Sequence, residues 1–147
     1  MKHATLEDFE KIKEIFYQYR DIFPHIRTDY IRRELEAGHV IFEDGIIITF
    51  NFYRKPQKIG TIEARPGHCI LHQIVKDKNN KEANASKVLK SFLEWTKADV
   101  WLSVRRDNTV AKKFYEKNGM VKKGEIDWAD GKLPGDVYLF QRTVSLI

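Results

Sequence analysis

The chain has 147 residues, 42% hydrophobic and 32% charged, with 26 Lys and Arg against 21 Asp and Glu for a formal net charge of +5. That length and balance fit one soluble globular domain over 1–147 with a real hydrophobic core, and a lone cysteine, Cys69, excludes an internal disulfide framework. No apolar run approaches the roughly 20 residues of a membrane span, and the start, Met1-Lys2-His3-Ala4, lacks a secretory leader's apolar stretch, so a cytoplasmic protein with no membrane partner is expected.

Thr5-Leu6-Glu7-Asp8 has the form of a capping box, and Phe9, Ile12, Ile15, Phe16 and Tyr19 recur at helical spacing. They predict a first helix over 6–22, closed by Pro24. Thr28 can cap a second helix over 29–37 that Gly38 ends. Residues 39–43 read as a strand, Asp44-Gly45 as a hairpin turn and 46–53 as the next strand. The polar, basic, Pro-broken 54–58 reads as a loop, 59–63 as a short strand and Pro66-Gly67 as a turn. Residues 69–75 are a clear strand. A charged loop over 76–81 leads to a helix over 83–97, with Val88, Leu89, Phe92 and Leu93 inward. Strands over 100–104, 120–128 and 137–143 finish the pattern, with 130–136 a turn-rich loop. This order predicts an α/β class, a mixed central β-sheet with helices on both faces.

The segment after strand 100–104 carries the most chemistry. Asp107 or Asn108 can cap a helix there. Val110, Ala111, Phe114 and Tyr115 form one stripe, with Lys112, Lys113, Glu116 and Lys117 opposite, and Asn118-Gly119 is a stop. Alone, such a stripe reads as core aromatics. The whole string, Asn108-x-x-Ala111-x-x-Phe114-Tyr115-Glu116-Lys117-x-Gly119 behind a strand, resembles the second signature of the GNAT superfamily of acyl-CoA-dependent N-acyltransferases. The resemblance implies the GNAT fold and direct transfer of an acyl group, most often acetyl, from acetyl-CoA or another acyl-CoA to a primary amine. It implies that Tyr115 protonates the departing sulfur and that Asn108 helps position the pantetheine or a water. Ala111 and Phe114 would line the cofactor side of the helix.

The family's cofactor signature is a strand with an apolar end, then a loop reading Q/R-x-x-G-x-G/A before a helix. Here the strand ends at Ile74-Val75, and the register gives Asn80-Lys81-Glu82-Ala83-Asn84-Ala85, with Ser86 opening the helix body. Unpaired N–H groups and a helix N-terminus favour an anion, which the resemblance makes the diphosphate of coenzyme A. A strand backbone N–H ending at Val75 would polarise the thioester carbonyl. Asn80 stands where the family has Gln or Arg, and Ala83 where it has Gly. A left-handed Ala83 would cost about 1 kcal/mol or more, with Lys81 and Lys87 offsetting some of it by charge.

The general base stays open. Period-two alternation puts Cys69, Leu71, Gln73 and Val75 on one face and Ile70, His72 and Ile74 on the other. The family's base positions fall on Leu71, which cannot act, and Cys69, a poor amine base. His72 is the catalytic candidate if a bulge turns it inward, with Glu43, Glu63 and a water chain beside it; a hydrogen-bonded structural His72 is the plain alternative. Cys69 reads as a core thiol. The five His are scattered and no Cys–His set has ligand spacing, so no metal is expected. Lysines clustered over 76–90 and 112–123 attract a phosphate-rich cofactor, acidic protein or nucleic acid, or simply solvate the surface. Phe52-Tyr53-Arg54-Lys55 keeps a nucleic-acid partner in view. A non-catalytic binding module is the other alternative, prompted by Asn80 and Ala83, and a homodimer through the C-terminal strands rests on the resemblance alone.

Overall fold

The computed structural model describes residues 1–22, 24, 26–128 and 131–142. The elements are α1 (Phe9–Tyr17), α2 (Thr28–Glu36), β1 (Val40–Glu43), β2 (Ile46–Phe52), β3 (Gln57–Ile59), β4 (Ile62–Ala64), β5 (Cys69–Lys76), α3 (Ala85–Thr96), β6 (Val100–Arg105), α4 (Thr109–Lys117), β7 (Val121–Trp128) and β8 (Leu133–Phe140). A six-stranded sheet has the order β1-β2-β5-β6-β8-β7, and β3-β4 forms a separate two-stranded ladder. β5 pairs β6 in parallel, while β1–β2, β6–β8 and β7–β8 are antiparallel, so the class is the expected mixed α/β. The chain divides into two compact units, 1–50 with 73–91 and 51–72 with 92–147; β2, β5 and α3 each run from one into the other.

In the first unit, α1 buries Phe9, Ile12, Ile15 and Phe16, and α2 buries Ile31 and Leu35. These pack with Val40, Ile47 and Val75 of the strands into one apolar core. Each fully buried isoleucine stabilises the fold by about 2 kcal/mol. The expected first helix over 6–22 is shorter in fact. Leu6–Asp8 is a single 3-10 turn, with the Thr5 N–H donating to the Asp8 carboxylate at 2.9 Å, and α1 ends at Tyr17. Beyond it the N–H groups of Gln18, Tyr19 and Arg20 reach back only three residues, as the chain tightens before leaving the helix.

In the second unit, Trp101, Val137 and Leu139 make one face of the strands and pack with Ile59, Ala64 and Ile70. Tyr138, on the opposite face by alternation, meets Tyr115 of α4 at 6.4 Å between ring centroids. Three expectations fail here. Residues 57 and 58, read as loop, form β3 with β4; their side chains are polar because that ladder exposes them. The expected strand over 59–63 is therefore a hairpin turning at Gly60-Thr61. Gly60 has φ +60°, and a Cβ there would lie 1.9 Å from the Glu125 carbonyl oxygen, so no other residue fits. Leu133–Asp136, read as turn, belong to β8; all four pair with β7, and Gly135 and Asp136 pair with β6 as well. Gly135 is a packing residue rather than a turn residue: a Cβ would come within 2.4 Å of the Trp128 ring. The expected strand end at Thr143 and the turn position Asp130 lie outside the described residues. No helix among those described is long and apolar enough to cross a membrane.

Candidate active site

In the first unit the segment after β5 is organised by side chains. Asp77 is buried, 5% exposed, and its N–H donates to the Gly45 carbonyl at 2.8 Å. Its carboxylate accepts from Gln18 Nε2 and from the Asn79 N–H, both at 3.0 Å, with Lys11 Nζ at 3.6 Å. The Gln18 hydrogen bond first, then that of Asn79, holds this carboxyl below the usual range against the effect of burial. Asn80 Oδ1 accepts the Glu82 N–H at 3.2 Å, the Asn80 carbonyl accepts that of Ala83 at 3.3 Å, and Asn80 Nδ2 donates to the Asp44 carbonyl at 3.4 Å. Asn84 caps α3, its Oδ1 accepting from the Lys87 N–H at 3.1 Å. The predicted helix start at 83 thus moves to Ala85.

Asp44 and Lys97 are the non-glycine residues in the left-handed region among those described, so Ala83 carries no such strain. The glycine expected there is not needed for backbone geometry. The N–H groups of Lys81, Asn84 and Ala85 meet no acceptor among the described residues. Asp44, Asn80, Glu82, Asn84 and Lys87 line a groove of about 390 Å³ beside them. Two open N–H groups at the start of a 12-residue helix, a third at Lys81 in the loop before it, and the Lys81 and Lys87 ammonium groups near in sequence are donors of the kind a diphosphate uses, though the Asp44 and Glu82 carboxylates share the groove. Ile74 and Val75 lie immediately upstream on β5, Val75 buried and Ile74 partly so.

In the second unit α4 positions the nominated phenol. Of the two cap candidates Asn108 serves, its Oδ1 accepting from the Ala111 N–H at 3.1 Å. At the other end the Gly119 N–H returns to the Glu116 carbonyl and the Met120 N–H to that of Tyr115, both at 3.1 Å. This closure needs the left-handed φ of +88° that Gly119 supplies. Tyr115 is 9% exposed, with Phe114 edge-on at 5.6 Å and partly buried like Ala111. Burial pushes its hydroxyl up to about 12, so the phenol is protonated at neutral pH and can act as a proton donor, not a base. Val110, assigned to the same stripe, is 81% exposed, because the helix turns that edge to solvent.

Asp136, in a stretch whose sequence reads as turn, lies on β8. Its side chain is fully buried and meets Lys112 Nζ at 2.8 Å, Arg106 Nε at 3.2 Å and Lys122 Nζ at 3.2 Å. Burial pushes its carboxyl up, but hydrogen bonds from Lys112, Arg106 and Lys122 overcome this and bring it to about 2. Lys112, assigned to the solvent side, is drawn inward by that carboxylate. Beside it the Tyr138 hydroxyl donates to Glu116 Oε2 at 2.7 Å. An acid directly ahead of the apolar run 137–140 was the available signal. For Asp77 it was the acid set among Lys76, Lys78 and Lys81.

His72 is exposed on β5, with Asn51 Nδ2 at 3.1 Å from its Nε2. Cys69 and Leu71 are buried, and burial pushes the Cys69 thiol up to about 12, as befits a core thiol. Glu63 is exposed, and Glu43 faces the Met1 ammonium at 3.7 Å.

No protein-family model and no curated protein sequence matches the chain. Solved structures do. A GNAT-family acetyltransferase from Streptococcus agalactiae is similar with a TM-score of 0.74 at 13% identity, covering 97% of this chain and 95% of that one. Arabidopsis thaliana NAA60, in complex with a bisubstrate analogue, has a TM-score of 0.69 at 12% identity, covering 97% and 98%. The ribosomal-protein-S18-alanine N-acetyltransferase of Escherichia coli has 0.67 at 14%, covering 99% and 96%. Likeness end to end at such low identity shows the fold: this chain has the fold of the GNAT acetyltransferases.

Proposed function

We propose that this chain is a divergent GNAT-superfamily N-acyltransferase, residues 1–147 acting as one catalytic domain that moves an acetyl group from acetyl-CoA to a primary amine. The observation that carries the reading is Tyr115, a buried, protonated phenol set by a capped helix in a chain with the GNAT fold. Bound acetyl-CoA would supply the acyl group as a thioester. The N–H groups of Lys81, Asn84 and Ala85, with Asn80, Ser86 and the lysine ammonium groups around them, would hold its diphosphate. The β5 backbone at Ile74 and Val75 would orient the acyl end, and Asn108, Ala111 and Phe114 would line the pantetheine. Tyr115 would keep a proton available for the leaving sulfur, and His72 is the imidazole candidate for taking one from the ammonium.

The test is amine-dependent release of CoA thiol across a panel of small amines and N-terminal peptides. Turnover that Tyr115→Phe lowers about 100-fold, with CoA affinity unchanged, is expected. Absence of both CoA binding and CoA release would sink the reading. His72→Ala tests the base: a large fall in kcat supports the imidazole, and unchanged kcat removes His72 from the candidates.

One observation favours a second reading, a CoA-binding module without catalysis. Asn80 and Asn84 turn their own oxygens onto N–H groups that a diphosphate would otherwise meet. Tight CoA binding with no turnover in the wild type would select that reading.

A further inference from the structure

The cofactor segment has neither the glycine nor the Gln or Arg of the motif, yet six hydrogen bonds over 77–83 give it a fixed form. The N–H groups of Asp77, Lys78, Asn79, Asn80, Glu82 and Ala83 are all taken, by Gly45, Gln18, Asp77, Asp77, Asn80 and Asn80 respectively. What remains open is Lys81, Asn84 and Ala85. The selection of open donors is thus made by acceptors rather than by glycine conformations.

Three of those accepting residues, Gln18, Gly45 and Asp77, lie outside the motif segment 80–85. Gln18, at the C-terminus of α1, donates Nε2 to Asp77 Oδ1 at 3.0 Å and accepts the Lys78 N–H on Oε1 at 2.8 Å. Lys78 Nζ returns to the Gln18 carbonyl at 3.0 Å and sits 4.6 Å from the Tyr19 ring, whose hydroxyl donates to the Lys76 carbonyl. α1 is therefore fastened to the first residues of the loop through both ends of one amide. We infer that Gln18 and Asp77 are positioning residues for diphosphate binding, replacing with a half-buried amide bonded to a buried carboxylate the order that the glycine-rich loop otherwise supplies. This rests on the acyl-CoA reading above.

The experiment is calorimetric titration of CoA, and separately of pantetheine, which lacks the diphosphate, into wild type, Gln18→Ala, Gln18→Met, Asp77→Ala and Asp77→Asn. The expected result is about a tenfold loss of CoA affinity in Gln18→Ala, Gln18→Met and Asp77→Ala, with pantetheine affinity unmoved. Asp77→Asn, which keeps the accepting oxygen, should stay near wild type. Gln18→Met preserves side-chain length and apolar cover, so it carries the test should either alanine variant fold poorly. Unchanged CoA affinity in the folded variants would overturn the inference, and so would equal losses for CoA and pantetheine, which mark a general loss of structure. If the wild type takes up no CoA, the acyl-transfer reading itself fails and this inference falls with it; a wild type that binds while the variants bind equally well discards the positioning role alone.

Discussion

Single residues here are set by what surrounds them more than by their type. Asp136 is the clearest case: a carboxylate with no solvent exposure would be unwelcome in a β-sheet but for three cations, from the turn after β6, from α4 and from β7. Asp136→Asn keeps the shape and removes the charge, and should cost about 2 kcal/mol, seen as a lower Tm at neutral pH. The sign of its pH dependence follows. Its folded-state value, about 2, lies below the ordinary carboxylate value, so the contribution is complete above pH 4 and is lost as pH falls towards 2. Acid titration of Tm between pH 4 and pH 2 should therefore fall less steeply in Asp136→Asn than in wild type. Ala83 makes the converse point. Since it is not in the left-handed region, Ala83→Gly relieves nothing and adds unfolded-state entropy. It should lower stability by about 0.5–1 kcal/mol without improving CoA binding, and a clear gain in affinity would contradict the geometry described for the loop.

Elements were legible in the sequence where a period and a punctuation mark agreed. α4 had both, an Asn at its start and Asn118-Gly119 at its end, and the helix begins after the one and stops before the other. β3 and the first half of β8 had neither. Gln57 and Lys58 look like loop because one short ladder leaves them wet, and Pro134-Gly135 look like turn because nothing local announces the Trp128 ring that requires a glycine. Close approach to a distant element leaves no periodic trace. The same holds at the candidate site: Tyr115 and Asn108 stood in a recognisable string, whereas the Gln18–Asp77 bond joins residues 59 apart. Gly60 offers a test at this scale. Its substitution by Ala forces the turn off the Glu125 carbonyl and places Cβ in a left-handed backbone, so Gly60→Ala should cost about 2–3 kcal/mol. Denaturant unfolding would show it, and a near-neutral variant would mean that the β3-β4 hairpin can shift from β7 freely.

For the molecule as a whole, a net charge of +5 favours polyanions of any kind. A diphosphate held at its own site should weaken modestly with salt, because a few charges at short range are involved. Non-specific nucleic-acid binding should instead collapse between about 50 and 200 mM salt. Titrating CoA and a short duplex across that range separates a cofactor site from a merely basic surface. One buried group also gives the chain a clock. Cys69 opens β5 where that strand pairs with Val100 of β6, its N–H bonded to the Asp99 carbonyl at 2.9 Å, and its thiol is the only one present. A thiol reagent added to the native protein can reach it only when that end of the strand lets go. The speed of modification then times how often the sheet breathes at its parallel seam, with no label to introduce.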